Sequence, residues 1–244
     1  MPPFETACIL FCFFAASFIK GMTGMGFAIS SLALMAFFFD PKAAIPLILL
    51  PAFCANLMVV LTTGHFRSTL KRFRLYYIAT IPGLISGVWL LTRVSGSTSR
   101  TALGIILLFY ALSALLHFDR YPCRKSRGCA AVTGLLTGTI NGLTGCQVMP
   151  LLPWLLSLKL KKDELVQALN ISFTIGIITM FILLRRSGLL GTQQLLLSLV
   201  GVAVSVIGVA AGTKVRAHLN EKLFRKLILL FLLFLSIMIL FFHH

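Results

Sequence analysis

Two short stretches carry the chemistry that this sequence offers. Lys20-Gly21-Met22-Thr23-Gly24-Met25-Gly26 interrupts one apolar run, and Asn141-Gly142-Leu143-Thr144-Gly145-Cys146-Gln147 interrupts another. Gly21, Gly24 and Gly26 permit positive φ and close backbone approach, and Gly142 and Gly145 do the same in the second stretch, so both read as turns. Thr23 and Thr144 are expected to cap the helices that start after the turns. Each such helix would aim free N–H groups and a partial positive charge into the interior, which suits an anion. Lys20 adds a full positive charge with no Asp or Glu close to it in the sequence. A basic side chain beside a midmembrane break is costly and reads as a site, the competing reading being that Lys20 snorkels to an interface. Asn141 holds the matching place in the second stretch. Gln147 and Cys146 can add a donor or a polarizable wall, although Cys146 also reads as simple packing. The candidate substrate-binding set is therefore Lys20, Gly21, Thr23, Gly24, Met25, Gly26, Asn141, Gly142, Thr144, Gly145, Cys146 and Gln147.

The two stretches are one motif repeated. An offset of 121 puts Gly21 on Gly142, Thr23 on Thr144 and Gly24 on Gly145, and the same offset pairs Gly87 with Gly208, Thr92 with Thr213, Arg93 with Lys214 and Val94 with Val215. The chain has 244 residues, so the repeat is half its length. Two membrane repeats follow, residues 1–121 and 122–244, joined by a basic loop from His117 to Gly128.

Hydrophobic residues make up 58% of the chain and charged residues 11%, and the mean hydropathy is +0.98. These values place it among polytopic membrane proteins. The net charge of +16, from 22 basic against 6 acidic residues, would suggest nucleic acid in a soluble protein. Here the basic residues lie in short loops between apolar runs, so they read as topology signals and no nucleic acid is expected. The leading Met1-Pro2-Pro3-Phe4-Glu5 lacks a positive n-region, and no cleavable signal is expected. The six cysteines show no CxxC and no Cys/His metal spacing, so they read as packing residues, with no metal and no cofactor.

Runs long enough to span the bilayer lie near 43–63, 75–91, 101–118, 165–184, 195–212 and 223–242. Around the two motifs the apolar pieces 7–19, 27–39, 129–140 and 148–158 are short, reaching roughly 17 to 20 Å each, and read as half-spans. Two half-spans could form one broken helix or a re-entrant hairpin. With re-entrant hairpins, sixteen basic residues gather on one side of the membrane, those of the loops at 67–74, 120–127, 159–162 and 214–226. Five, Lys42, Arg93, Arg100, Arg185 and Arg186, lie on the other, and Lys20 is left over at the first turn. With broken helices the division is eleven to ten, so only the re-entrant arrangement satisfies the positive-inside rule. The expected fold is all-α and polytopic, an inverted repeat of two halves, each with one re-entrant helical hairpin and three transmembrane helices. Both termini then lie outside the cytoplasm, and a substrate site forms near the midplane between the two turns.

The six acidic residues, Glu5, Asp40, Asp119, Asp163, Glu164 and Glu221, all fall at span ends or in loops. No carboxylate is placed to relay protons or bind a cation at midmembrane. Asn56 and Asn170, inside spans, either line the cavity or bond between helices, and His65 and His117 read as interfacial.

With its duplicated motif, Gly21-Met22-Thr23-Gly24-Met25-Gly26 and Gly142-Leu143-Thr144-Gly145, each opening a half of about 120 residues, the chain resembles the TauE/SafE family of sulfite exporters, also called the 4-toluene sulfonate uptake permease family. The resemblance covers nearly the whole chain and departs at Cys146-Gln147, where the family's second motif often continues with glycines. It implies a bacterial-type inner-membrane permease for sulfite, sulfoacetate or other sulfonates, with membrane lipid as its surroundings and homodimer formation left open. The expected function is a secondary transporter of such anions by alternating access. A passive anion channel of the same architecture, or a membrane subunit of a larger complex, is the alternative. No HExxH, Walker motif or pair of intramembrane aspartates points to an enzyme.

Overall fold

The computed structural model describes residues 3–23, 26–116, 126–216 and 221–241. Eleven helices and no strand occur among them: α1 Pro3–Thr23, α2 Phe27–Met35, α3 Pro41–Thr62, α4 Phe66–Arg72, α5 Arg74–Arg93, α6 Gly96–Leu115, α7 Arg127–Thr144, α8 Leu151–Ser157, α9 Lys162–Arg186, α10 Thr192–Arg216 and α11 Glu221–Phe241. The six expected full spans appear as α3, α5, α6, α9, α10 and α11. By length and composition six helices can cross a membrane, α1 (over Phe4–Met22), α3, α5, α6, α9 and α10, while α11 has a shorter apolar stretch, Leu229–Phe241. The protein is a multi-pass membrane protein.

Local chemistry sets several helix ends. Asp40 precedes Pro41 and its carboxylate accepts from the Lys42 N–H at 2.9 Å, an N-cap followed by proline in the first turn. The Ser95 hydroxyl accepts from the Thr98 N–H at 3.2 Å, which starts α6 ahead of its apolar run. In α9, Asp163 and Glu164 occupy the first turn and Arg185 and Arg186 the last, the charge order that a helix dipole favours.

Paired half-spans do not form. The first arm of each hairpin is long, 21 residues in α1 and 18 in α7, about 31 and 27 Å, whereas the second arms, α2 and α8, have 9 and 7 residues. The motif residues lengthen the first arm: Lys20 to Thr23 and Asn141 to Thr144 are its last helical turn. The break comes after them, at Gly145 with φ 73° and ahead of Gly26 with φ 92°.

Contacts divide the chain into two compact units that draw on both sequence halves. One comprises Met1–Pro51, Ser95–Leu116 and Leu189–His244, and the other Ala52–Val94 and His117–Gly188. In the first unit α1 and α10 run parallel and touch backbone to backbone. A Cβ at Gly21 would overlap the Val209 carbonyl oxygen, one at Gly212 the Phe18 carbonyl oxygen, and one at Gly201 would press into the Phe13 ring. Phe13 also stacks on Phe27 at 6.3 Å, which folds α2 back on α1. Pro51 has no N–H to give to Leu47, and Ser198 on α10 donates to that orphaned carbonyl at 2.7 Å.

In the second unit α5 and α7 form the corresponding parallel seam. Gly134, Gly138 and Gly142, one turn apart, lie against the carbonyls of Tyr76, Thr80 and Leu84, while Gly83 and Gly87 lie against those of Leu135 and Thr139. Tyr77 donates to Ala168 of α9 at 3.2 Å. Its donor and acceptor each stand 121 residues before or after those of the Ser198 to Leu47 bond, so the sequence offset reappears as a hydrogen bond. The glycine contacts follow a different register. Gly83 packs on Gly138 as Gly208 packs on Ser17, and Gly87 on Gly142 as Gly212 on Gly21, which equates Gly87 with Gly212 and not with Gly208. The four-residue difference is one helical turn, and α11 likewise begins 125 residues after α6.

Gly138→Val is expected to destabilise the protein by about 1–3 kcal/mol or more, because the side chain meets the backbone of α5 and neither helix can move aside alone. Gly128→Ala, where an added Cβ meets only the Ser126 hydroxyl at 3.6 Å, should hold or raise stability. Thermal unfolding in detergent compares them, and equal midpoints would contradict the seam.

Candidate functional site

The second turn is built from the end of α7, the Gly145 break and the start of α8. Gly145 donates its N–H to the Asn141 carbonyl at 2.7 Å, closing the helix in a left-handed cap. The Thr144 hydroxyl donates to the Ile140 carbonyl at 2.7 Å and accepts from the Cys146 N–H at 3.2 Å. Thr144 thus secures the end of α7, and no side chain caps α8. For Thr144 the expected cap of the following helix is corrected: the threonine ends α7, six residues before Pro150 at the N-cap of α8, too early to reach it. Gly26 stands at the N-cap position of α2 and likewise offers no side-chain bond.

Asn141 and Gln147 come together across the break. The Asn141 amide donates to Gln147 Oε1 at 3.1 Å, and Gln147 Nε2 donates to both the carbonyl and the hydroxyl of Ser172 on α9, each at 2.9 Å. The Ser172 hydroxyl meets the Tyr76 hydroxyl of α5 at 3.0 Å. Gly176, one turn along α9, leaves the space that the Gln147 amide fills, since a Cβ there would overlap Oε1. Asn141, Gln147, Ser172 and Tyr76 are all buried, as is Thr137, one turn before Asn141, whose hydroxyl has no partner among the described residues. Trp154 of α8 stacks on Tyr76 at 5.3 Å and meets Phe73 edge-on at 5.8 Å, holding the short helix against α5. Cys146 is wholly buried, a wall of the turn.

The first turn is less fully described. Lys20 lies in the last turn of α1, half-buried. Gly21 is helical and spends its missing side chain on the approach of α10, as Gly142 does on α5. Gly24 and Met25 fall outside the described residues, and of Thr23 only the backbone is described, as the end of α1. Nearby in sequence, the hydroxyls of Ser17 and Ser31 are fully buried and have no partner among the described residues.

Sequence reasoning missed Tyr76, Ser172, Thr137 and Gly176. The available signal was spacing: Thr133, Thr137 and Asn141 form one ladder at four-residue intervals on α7, beside the glycine ladder. The side-chain bond of Asn170 is intrahelical and not a bond between helices, since its amide donates to Val166 in its own helix at 2.8 Å. Among the described residues no carboxylate is buried and no group of three or more His, Cys, Asp or Glu could hold a metal. Five cysteines, Cys8, Cys12, Cys54, Cys129 and Cys146, are free.

Gly176→Ala is expected to push the Gln147 amide off Ser172 and cost about 1–3 kcal/mol. Adding Gln147→Ala should recover most of that loss, because the methyl then fills space that the amide has left. A double variant no more stable than Gly176→Ala would show that the two side chains are not coupled.

The family model described as "Sulfite exporter TauE/SafE" matches residues 9–239. No curated protein and no solved structure matches the chain.

Proposed function

The chain belongs to the TauE/SafE family of sulfite exporters, a family of membrane transporters of sulfite or related anions, and on that premise we propose that it is a secondary transporter of small sulfur-containing anions such as sulfite or organosulfonates. The observation that carries this reading is the character of the buried polar groups. Amides and hydroxyls gather at the second turn, Lys20 stands beside the first, and no described carboxylate is buried with them. Such a set can donate hydrogen bonds, which suits an oxyanion, and it lacks the carboxylate that a proton relay or a strong cation site ordinarily uses.

In this reading each turn contributes anion-binding groups, and the protein works by alternating access as an inverted repeat in the inner membrane, both termini outside the cytoplasm. Support for the repeat comes from within the units: parallel glycine seams of α1 with α10 and of α5 with α7, and equivalent bonds onto the Leu47 and Ala168 carbonyls. The Asn141 to Gln147 pair then holds the neutral donors of the second turn, and Lys20 is the charge of the first. Export needs no coupling ion, because a membrane potential negative inside drives a monoanion outward by about 2.3 kcal/mol per 100 mV.

Proteoliposomes with an imposed potential test this. Sulfite or sulfoacetate is expected to accumulate on the positive side, approaching about 50-fold at 100 mV for a monoanion. Lys20→Ala and Gln147→Leu should each lower the flux by tenfold or more, roughly the loss of one charged or buried hydrogen bond. Undiminished flux in both variants would place the site elsewhere. A flux that rises linearly with concentration and shows no countertransport would make the protein a channel.

A further inference from the structure

We propose that a second oxyanion site lies in the second unit, in a basic cavity at the end where α5 and α7 both begin. The cavity has a volume of about 570 Å³ and its walls include Lys71, Arg72, Arg74, Ser126, Arg127 and Trp154. That volume falls in the range of small-molecule pockets and accommodates a phosphate or sulfate group with its hydration.

Three features make the cavity complementary to an oxyanion. Four cationic side chains reach it from two separate segments, 71–74 and 126–127, and among the described residues only Arg72 has part of its charge taken up, by Glu164 at 3.0 Å. Ser126 is the N-cap residue of α7 but its side chain makes no capping bond, so the first N–H groups of this 18-residue helix point out of its end without an intrahelical acceptor. The third feature is independent of charge. Trp154 is 3% exposed and lines the cavity, and its indole N–H has no partner among the described residues. A buried indole ordinarily finds an acceptor, and an oxyanion seated among the arginines supplies one. Membrane orientation explains why basic residues gather at this end. It does not require them to converge on one cavity, nor to leave a buried donor unsatisfied there.

The shared chemistry is a phosphate- or sulfate-like oxyanion, from a lipid headgroup or from the aqueous phase. The inference stands apart from the transport mechanism.

The chain has two tryptophans, so Trp89→Phe leaves Trp154 as a reporter in the cavity wall. This variant is placed in nanodiscs of phosphatidylcholine and titrated with sodium sulfate at constant ionic strength against chloride. A second series replaces part of the phosphatidylcholine with phosphatidylglycerol. A saturable change in Trp154 emission with sulfate assigns the site to free anions, and a change only with phosphatidylglycerol assigns it to a headgroup. Either response should weaken about tenfold or more in Arg74→Gln/Arg127→Gln, whose positions are exposed and tolerate the change without loss of fold. Silence in both series, or a response that the double variant leaves unchanged, overturns the site. Gln147→Leu keeps the emission response whatever happens to flux, so failure of the transport reading and failure of this site are told apart.

Discussion

Everything in this protein depends on two helix pairs coming closer than side chains allow. At the α5 to α7 seam a single added methyl would strike a carbonyl oxygen at each of five glycines, and the α1 to α10 seam is built in the same way. In a bilayer, lipid tails are as apolar as leucine, so burying apolar surface gives little reason for two helices to associate. Close packing of backbones supplies it instead, and small residues at four-residue spacing are how a helix presents backbone to its neighbour. Because the contact is backbone on backbone, it leaves no soft side chain to absorb a shift. The first arm of each hairpin is thereby fixed along its length, and the polar groups at its end are held where that arm ends.

The seams also explain where the chain can break. A helix that ends among buried groups leaves carbonyls and N–H groups that apolar surroundings cannot satisfy, so the break must be closed by the protein itself. At the second turn the closure is nearly all local: Gly145 caps α7, Thr144 secures the next N–H, and Gln147 reaches back to Asn141. Only Ser172 and Tyr76 come from elsewhere in sequence, and both stand on helices of the same unit. Proline is handled by the same rule. Pro51 withdraws one donor from α3 and Ser198 returns one from α10, so a helix interior tolerates the residue without an unpaired carbonyl.

The parts of this fold that could be read from sequence are those written in composition and long apolar runs. Five of the six spans read from sequence, α3, α5, α6, α9 and α10, follow from them, because twenty apolar residues have few other uses, while the family resemblance came from the repeated glycine motif. The lengths of the hairpin arms were not legible, since Lys20, Thr23, Asn141 and Thr144 look like turn residues when judged one at a time. They are helical because the glycines among them serve the seams first and the turns second. The register of the repeat was misread for a related reason. Identity at Gly87 and Gly208 matched the motif offset, yet packing equates Gly87 with Gly212, and a one-turn insertion keeps a helix face while moving every number on it. The network around Gln147 was invisible because its members come from α5, α7, α9 and the turn, and no spacing rule joins residues 76, 141, 147 and 172.

The absence of buried carboxylates among the described residues constrains the energetics of the second turn. An anion that enters a desolvated site loses hydration, and neutral donors return only part of it, at roughly 0.5–1.5 kcal/mol net for each bond. A site made of amides and hydroxyls, as proposed for the second turn, would therefore bind weakly and release readily, as a turnover cycle requires. A full charge at such a site would raise affinity but also slow release. The same logic separates the basic cavity at the start of α5 and α7 from the turns: charges that would hold an anion too tightly inside the membrane are placed at the ends of helices, where water shares the load.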